Sequence, residues 1–162
     1  RRILRVGTLS MSGGSKGLGL FAMWERFRWV VGFTPAKGDK PAKGRYGEWI
    51  GEKFLRKRGF SVIRRNWRSS LDRRLEIDLV CMDSEVLVFV EIRARSKGSL
   101  VDGYASVSRK KRNALKRSIR SYLTEESRKA DNYRLDLVEI DLPIEALAKP
   151  QVFHHENIAI SF

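Results

Sequence analysis

The chain has 162 residues, enough for one domain with a buried core, and 42% of them are hydrophobic. Its 33 Lys and Arg against 19 Asp and Glu give a net charge of +14, which favours a polyanionic partner. The single cysteine excludes a disulfide framework and a cysteine zinc site, and no apolar run is long enough to span a membrane. We therefore expect a basic, soluble, cytoplasmic protein with no membrane partner.

The first part of the chain reads as an appendage. Residues 1–43 are predicted to form a basic, flexible N-terminal extension, and residues 44–162 the folded domain. The extension holds an aromatic and basic segment, Phe21 to Phe33, and a linker rich in Pro, Gly and Lys, Thr34 to Lys43. The aromatic segment either stacks on nucleic acid or is a hydrophobic strip that docks on the domain or stays disordered.

The domain is predicted to begin with a helix, Arg45 to Arg58. A short strand, Phe60 to Asn66, and a basic loop, Trp67 to Arg74, follow it. Glu48 lies at the edge of the apolar face of the helix. It is either a solvated carboxylate or an acid that reaches the hairpin described next.

Two apolar runs, Leu75 to Met82 and Val86 to Ile92, predict a β-hairpin. The second run is apolar on both faces, which is typical of a central strand. Depending on the turn, Asp78 lies either directly opposite Glu91 or diagonal to it, so both registers place the two carboxylates on one face of the sheet. Two neighbouring anions need neutralisation, either by a divalent cation or by a structural pairing with Arg93 and Arg95.

The second half of the domain is predicted to contain a loop, Ala94 to Gly103, and a long helix, Tyr104 to Thr124. In this helix Lys111 stands in an apolar row that faces the sheet, where it either snorkels to solvent or points into the acidic site. A strand, Tyr133 to Ile140, follows the helix.

Near the end of the chain, Pro143 to Ala148 forms at most one or two helical turns, and Asn157 to Phe162 is predicted as an edge strand. His154 and His155 are placed in a loop with little weight as ligands or bases. The order helix, strand, strand, strand, helix, strand predicts an α/β domain with a mixed sheet. In this sheet only the strands on either side of the long helix can run parallel, because that helix provides the connection between them.

Several spaced segments stand out in the order Gly44 to Glu48, Arg58 to Arg68, Glu76 to Leu79, Leu87 to Arg95, Val107 to Leu115, Arg134 to Val138 and His155 to Asn157. In this order they resemble the YraN-like proteins, uncharacterised protein family 0102. The fold of this family is similar to restriction endonucleases and archaeal Holliday-junction resolvases. The resemblance runs from about Gly44 to the end of the chain.

This resemblance implies a nuclease site of the PD-(D/E)xK type with a restriction-endonuclease-like core. In that scheme Asp78 and Glu91 hold Mg²⁺, or Mn²⁺ in its place, and Glu48 is the acid of the first helix. Arg93 stands at the position of the signature lysine, and an arginine cannot give up its proton at ordinary pH. The resemblance places a recurrent lysine of the long helix on Lys111, which we expect to replace the signature lysine in space.

Three functions follow as hypotheses. The first is Mg²⁺-dependent phosphodiester hydrolysis on structured DNA, and the second is a nucleic-acid-binding module, on DNA or RNA, with a degenerate site. The third is a basic accessory protein whose acids are purely structural. By analogy with nucleases that cut both strands, a dimer is one option. The expected nucleic-acid contacts are Arg68, Arg73, Arg74, Arg95, Lys110, Arg112, Lys116 and Arg117.

Overall fold

The computed structural model describes residues 16–36, 38–96, 107–127, 132–143 and 148–159. The chain divides into two compact units, Arg1–Thr34 and Pro35–Phe162. In the first unit the described residues form helix α1 (Lys16–Val30), which the sequence analysis does not predict. Its apolar side chains are exposed, Leu20 at 64% and Met23 at 63%. No helix in the described ranges is both long and apolar enough to cross a membrane.

The larger unit begins earlier than the predicted domain. Its first helix, α2 (Lys40–Lys57), starts five residues before the predicted Arg45. Asp39 caps this helix, because its Oδ1 accepts a hydrogen bond of 2.9 Å from the N–H of Ala42. Pro41, which indicated a linker, is tolerated in the first turn of a helix. Residues 35–43 therefore belong to the larger unit and not to the extension.

In the part of the chain that the structure describes, five strands follow, with helix α3 (Arg109–Glu125) between the third and the fourth. The strands are β1 (Ser61–Arg68), β2 (Glu76–Asp83), β3 (Val86–Ser96), β4 (Tyr133–Leu142) and β5 (Gln151–His155). They form one mixed sheet in the order β1-β2-β3-β4-β5, in which only β3 and β4 run parallel. This confirms the predicted α/β class, the central position of β3 and the parallel return across α3.

The predicted edge strand from Asn157 is wrong over residues 157–159, the part of it that the structure describes. The strand at the edge beside β4 is β5, and it ends at His155. Asn157 then adopts a φ of +52°, which turns the chain. Ile158 follows as a core residue that is 5% exposed, so its apolar side chain fills the core and does not continue a strand. The predicted turns between Pro143 and Ala148 lie largely outside the described residues.

The hairpin has one of the two predicted registers. Asp83 pairs with Val86 around a turn of Ser84 and Glu85, with Ser84 at a φ of +52°. The pairing that the structure records runs to Leu79 opposite Val90. The recorded pairing of β2 with β3 thus ends one residue before Asp78.

The main hydrophobic core lies between the sheet and α3. Tyr122 of α3 is fully buried there and packs edge-on against Trp67 and Phe89, with ring centroids 5.2 and 5.4 Å apart. Trp67 belongs to β1 and is 9% exposed, so its predicted place in the basic loop is wrong. Burial of its indole in the core extends the strand to Arg68, and the basic loop is correspondingly shorter.

Helix α2 packs on the opposite face of the sheet and approaches β3 closely through two glycines. A Cβ atom at Gly47 would overlap the Cβ of Ala94, which cannot move without its backbone. A Cβ atom at Gly51 would lie 2.9 Å from Cδ1 of Ile92, the flexible end of a side chain. The close approach of α2 to β3 therefore depends more on Gly47 than on Gly51.

We predict that Gly47→Ala destabilises the protein by about 1–3 kcal/mol, because the added methyl group overpacks a rigid contact. Gly44→Ala is the matched control on the same helix, since nothing lies within 4 Å of a Cβ there. The control should gain about 0.5–1 kcal/mol from helix propensity. Urea denaturation measures both, and equal stabilities for Gly47→Ala and Gly44→Ala would contradict this packing.

Candidate active site

Strands β2 and β3 separate at Asp78. Beyond the pair of Leu79 and Val90, the Asp78 side chain makes the next contact, because its Oδ2 accepts a hydrogen bond of 2.7 Å from the N–H of Ile92. A carboxylate thus satisfies a backbone donor that strand pairing leaves open. The hydrogen bond fixes the Asp78 side chain against β3, one residue from Glu91.

Glu91 is a buried carboxylate, and 5% of the residue is exposed. The Nζ of Lys111 lies 2.8 Å from its Oε1, so the lysine of α3 does reach the acidic site. The Nε of Arg93 lies 3.7 Å from the same oxygen. The other oxygen, Oε2, is buried and has no hydrogen-bond partner among the described residues. A buried oxygen of this kind costs free energy unless a cation or a water molecule contacts it.

The surroundings of Asp78 disfavour its charged form. Burial and then the charge of Glu91 raise the pKa of Asp78 to about 7, with a smaller contribution from Glu48. The Ile92 N–H and the Lys111 ammonium lower this pKa but do not outweigh burial. The positive charge that Lys111 supplies is therefore not enough to hold the pKa of Asp78 in its ordinary range.

Glu48 lies on α2, is partly buried, and is close enough for its charge to act on Asp78. Nevertheless, no three side chains of His, Cys, Asp or Glu in the described ranges lie close enough together to hold a metal ion. The carboxylates whose contacts define the site are thus those of Asp78 and Glu91. A role for Glu48 in catalysis stays a prediction.

The pair fits a hard divalent cation on two observations. Mg²⁺ is typically held by one or two carboxylates, with water and phosphate oxygens completing its shell. Glu91 offers a buried oxygen without a partner among the described residues, and burial together with the charge of Glu91 raises the pKa of Asp78, so that a cation here would favour its charged form. Lys111 and Arg93 are both recorded nearest to Oε1 of Glu91. The second carboxylate oxygen, Oε2, accepts no hydrogen bond from the described residues.

The expected nucleic-acid contacts differ in exposure. Arg95 is largely buried, with 19% of its side chain exposed, because it pairs with the buried Glu139. Arg68 and Arg74 are exposed but each contacts a neighbouring acid, Glu76 and Asp72 respectively, at 2.9 Å. The seven that reach the surface wholly or in part are Arg68, Arg73, Arg74, Lys110, Arg112, Lys116 and Arg117.

The two histidines lie on β5 and not in the predicted loop, and both contact buried acids. The Nδ1 of His154 is 3.0 Å from Nη1 of Arg58, and a guanidinium only donates. His154 therefore accepts at Nδ1 and donates from Nε2 to the Oδ2 of Asp136, at 2.9 Å. Burial raises the pKa of Asp136, but the hydrogen bonds from His154, Arg134 and Asn157 outweigh it and hold this pKa below its ordinary value.

His155 makes the equivalent contact on the other face of the sheet. Its Nε2 lies 3.1 Å from Oε2 of Glu139, a buried acid that also binds Arg95. Glu139 is paired with Arg93 across β3 and β4, so it lies on the face that carries Glu91. These two pairs could be predicted from the acids of β4 only if the register between β4 and β5 were known.

We predict that Asp78→Asn stabilises the protein at pH 8 and not at pH 4. The pKa of Asp78 is about 7 in the folded state, above its ordinary value of 3.8, so the folded state binds the proton more tightly. Its contribution to stability is therefore present below pH 4 and is lost as the pH rises to about 7. Asparagine keeps the acceptor for Ile92 N–H without the charge, and a rise of a few degrees in Tm is expected.

Asp72→Asn is the control, and it should behave in the opposite way. Hydrogen bonds from Arg74 lower the pKa of Asp72, so its charge stabilises the fold above its ordinary pKa. Thermal unfolding of the three proteins between pH 4 and 8 makes the comparison. A lower Tm for Asp78→Asn than for wild type at pH 8 would contradict the assigned electrostatics.

The family model described as "Uncharacterised protein family UPF0102" matches residues 47–140. A UPF0102 protein of Anaeromyxobacter dehalogenans is 46% identical over 71 residues, 43% of this chain and 51% of that protein. One from Desulfitobacterium hafniense is 36% identical over 102 residues, 62% of this chain and 82% of that protein. One from Herpetosiphon aurantiacus is 31% identical over 126 residues, 75% of this chain and 97% of that protein. The chain therefore belongs to uncharacterised protein family UPF0102, as its resemblance to the YraN-like proteins implies.

Proposed function

We propose that this protein binds nucleic acid and hydrolyses phosphodiester bonds of structured DNA with Mg²⁺ held by Asp78 and Glu91. The observation that carries the proposal is the fork between β2 and β3, where two carboxylates and the Lys111 ammonium converge. A mixed α/β sheet with acids at such a fork supports the endonuclease-like scheme that the family resemblance implies. The net charge of +14 supports a polyanionic substrate.

In this proposal each residue of the site has a separate role. Asp78 and Glu91 would hold the ion, and a bound Mg²⁺ supplies an activated water and polarises the phosphate. Lys111 stays against Oε1 of Glu91 and orients that carboxylate. Arg93, 3.7 Å from the same oxygen, keeps its proton and serves only to stabilise negative charge that develops on the phosphate.

The basic surface supplies affinity in this proposal. Exposed side chains of α3 and of the loop between β1 and β2 contact phosphates without reading sequence. Binding should therefore weaken steeply with salt, by about a thousandfold between about 50 and 200 mM for roughly six phosphate contacts. If the affinity for nucleic acid depended only weakly on salt, this would contradict the proposed role of the basic surface in binding.

The second candidate is a nucleic-acid-binding module without cleavage. One observation favours it: Lys111 already contacts Glu91 at 2.8 Å, so the acids have a structural counterion. In that case DNA or RNA binding is retained, and divalent metal changes neither the protein nor its substrate.

The direct test is cleavage of branched and linear DNA by purified protein, in Mg²⁺ or in EDTA. We expect cleavage only in Mg²⁺, and its loss in Asp78→Asn and Glu91→Gln. Glu85→Gln, in the turn at the other end of β2, is the control acid and should cleave like wild type. If wild type binds DNA but leaves it intact in Mg²⁺ and Mn²⁺, the binding module is correct and the nuclease is not.

We further predict that Lys111→Ala reduces cleavage by about a hundredfold or more while DNA binding persists, because Glu91 loses its positioning partner. Arg93→Lys should keep or raise activity, since a lysine restores a group that can shift its pKa. Lys110→Ala is the contrasting variant, with an exposed lysine on the same helix, and should weaken binding but not cleavage of bound DNA. Unchanged cleavage by Lys111→Ala, or complete loss in Arg93→Lys, would refute these roles.

A further inference from the structure

The loop between β1 and β2 presents an apolar side chain to solvent. Leu71 is 85% exposed, and the other strongly exposed large apolar residue in the described part of the larger unit is Phe153, at 48%. A single exposed leucine is ordinary on a protein surface. What distinguishes Leu71 is how its backbone is held and what surrounds it.

The loop around Leu71 is closed by its own hydrogen bonds. The N–H of Ser69 donates to the carbonyl of Leu75 at 3.1 Å, which joins the two ends of the loop. The Oγ of Ser69 accepts from the N–H groups of Leu71 and Asp72, both at 3.1 Å. Asp72 in turn accepts from the N–H of Arg74 at 3.1 Å. The backbone on both sides of Leu71 is therefore fixed.

Glu125, in the last turn of α3, anchors this loop to the core. Its two carboxylate oxygens accept from the hydroxyls of Ser69 and Ser121 at 2.6 and 2.7 Å, and from the N–H and hydroxyl of Ser70, both at 2.8 Å. These hydrogen bonds, that from Ser69 first, lower the pKa of Glu125 to about 2. The carboxylate stays ionised at any ordinary pH and keeps the loop in place.

Three arginines lie near the leucine in the sequence or beside its loop, together with one acid, Asp72, that pairs with Arg74. Arg73 and Arg74 follow it in the loop, and 89% of the Arg74 side chain is exposed. Arg117 of α3 is also exposed, and its charge acts on Asp72, so it lies beside the loop. An apolar tip with arginines near it fits a partner that is anionic outside and apolar inside, which describes a nucleic acid with its stacked bases.

The loop and the candidate active site lie at the same end of β2. Asp78 follows Leu71 by seven positions, so their Cα atoms are at most about 25 Å apart. One turn of B-form DNA is about 34 Å long, so one stretch of DNA can contact both.

We propose that Leu71 is a wedge that inserts between bases at a branched or distorted step of DNA and directs the protein to such structures. The proposal rests on the proposed function for the substrate class, but not on cleavage. Insertion costs base-stacking free energy, which a rigid loop can offset with contacts from its neighbouring arginines to phosphates. A flexible loop would lose additional entropy on binding.

The test uses DNA with 2-aminopurine beside a branch point and a linear duplex of the same sequence, both in EDTA so that nothing is cut. Wild type should raise the 2-aminopurine fluorescence on binding and prefer the branched DNA by about tenfold, the value of one well-placed contact of 1.4 kcal/mol. Leu71→Ala should lose both effects and keep its affinity for linear DNA. Leu71→Met should retain them, and Phe153→Ala is the exposed apolar control.

The outcomes separate the two proposals. A wild type that binds and unstacks branched DNA but never cleaves it supports the wedge and refutes the nuclease. Cleavage with an unchanged preference in Leu71→Ala refutes the wedge alone. An equal loss of affinity for branched and linear DNA in Leu71→Ala also refutes it, because Leu71 is then a general contact. Loss of self-association in place of these effects would make Leu71 a protein contact and overturn the proposal.

Discussion

The hydrogen bond from the Ile92 N–H to the Asp78 carboxylate fixes the point at which β2 leaves β3. Because a side chain here replaces a strand contact, the charge of Asp78 is held beside that of Glu91 with little freedom to move away. Lys111 compensates part of this charge from α3, and the Gly47 contact allows α2 to approach the other face of β3. The positions of the two acids therefore depend on the hairpin and on both helices.

Polar groups on β4 and β5 extend this design beyond the fork. Asp136 and His154 lie on the face toward α2, and Glu139 and His155 on the face of Glu91, as the alternation of the strands requires. Both acids are buried and both are paired, which is the condition under which buried charge is tolerated. The last strand is thus joined to the sheet by side chains as well as by its backbone.

Much of this structure could be read from the sequence, because the information was local. Period-two alternation predicts the hairpin and apolar spacing predicts α3, whereas the shared face of Asp78 and Glu91 stays a prediction from the parity of strand positions. The pairs of His154 and His155 depend on a register between strands that no local pattern specifies. The start of α2 was missed for another reason, since a Pro and Lys segment is compatible with both a linker and a capped first turn.

The central claim is that Asp78 and Glu91 form a cation site and not merely a structural ion pair with Lys111. Isothermal titration of Mg²⁺ and Mn²⁺ into wild type and Asp78→Asn at pH 8 tests it most directly, because it needs neither substrate nor turnover. Binding to wild type that is lost in Asp78→Asn is the result expected. No binding to wild type, or equal binding to both proteins, would contradict the claim.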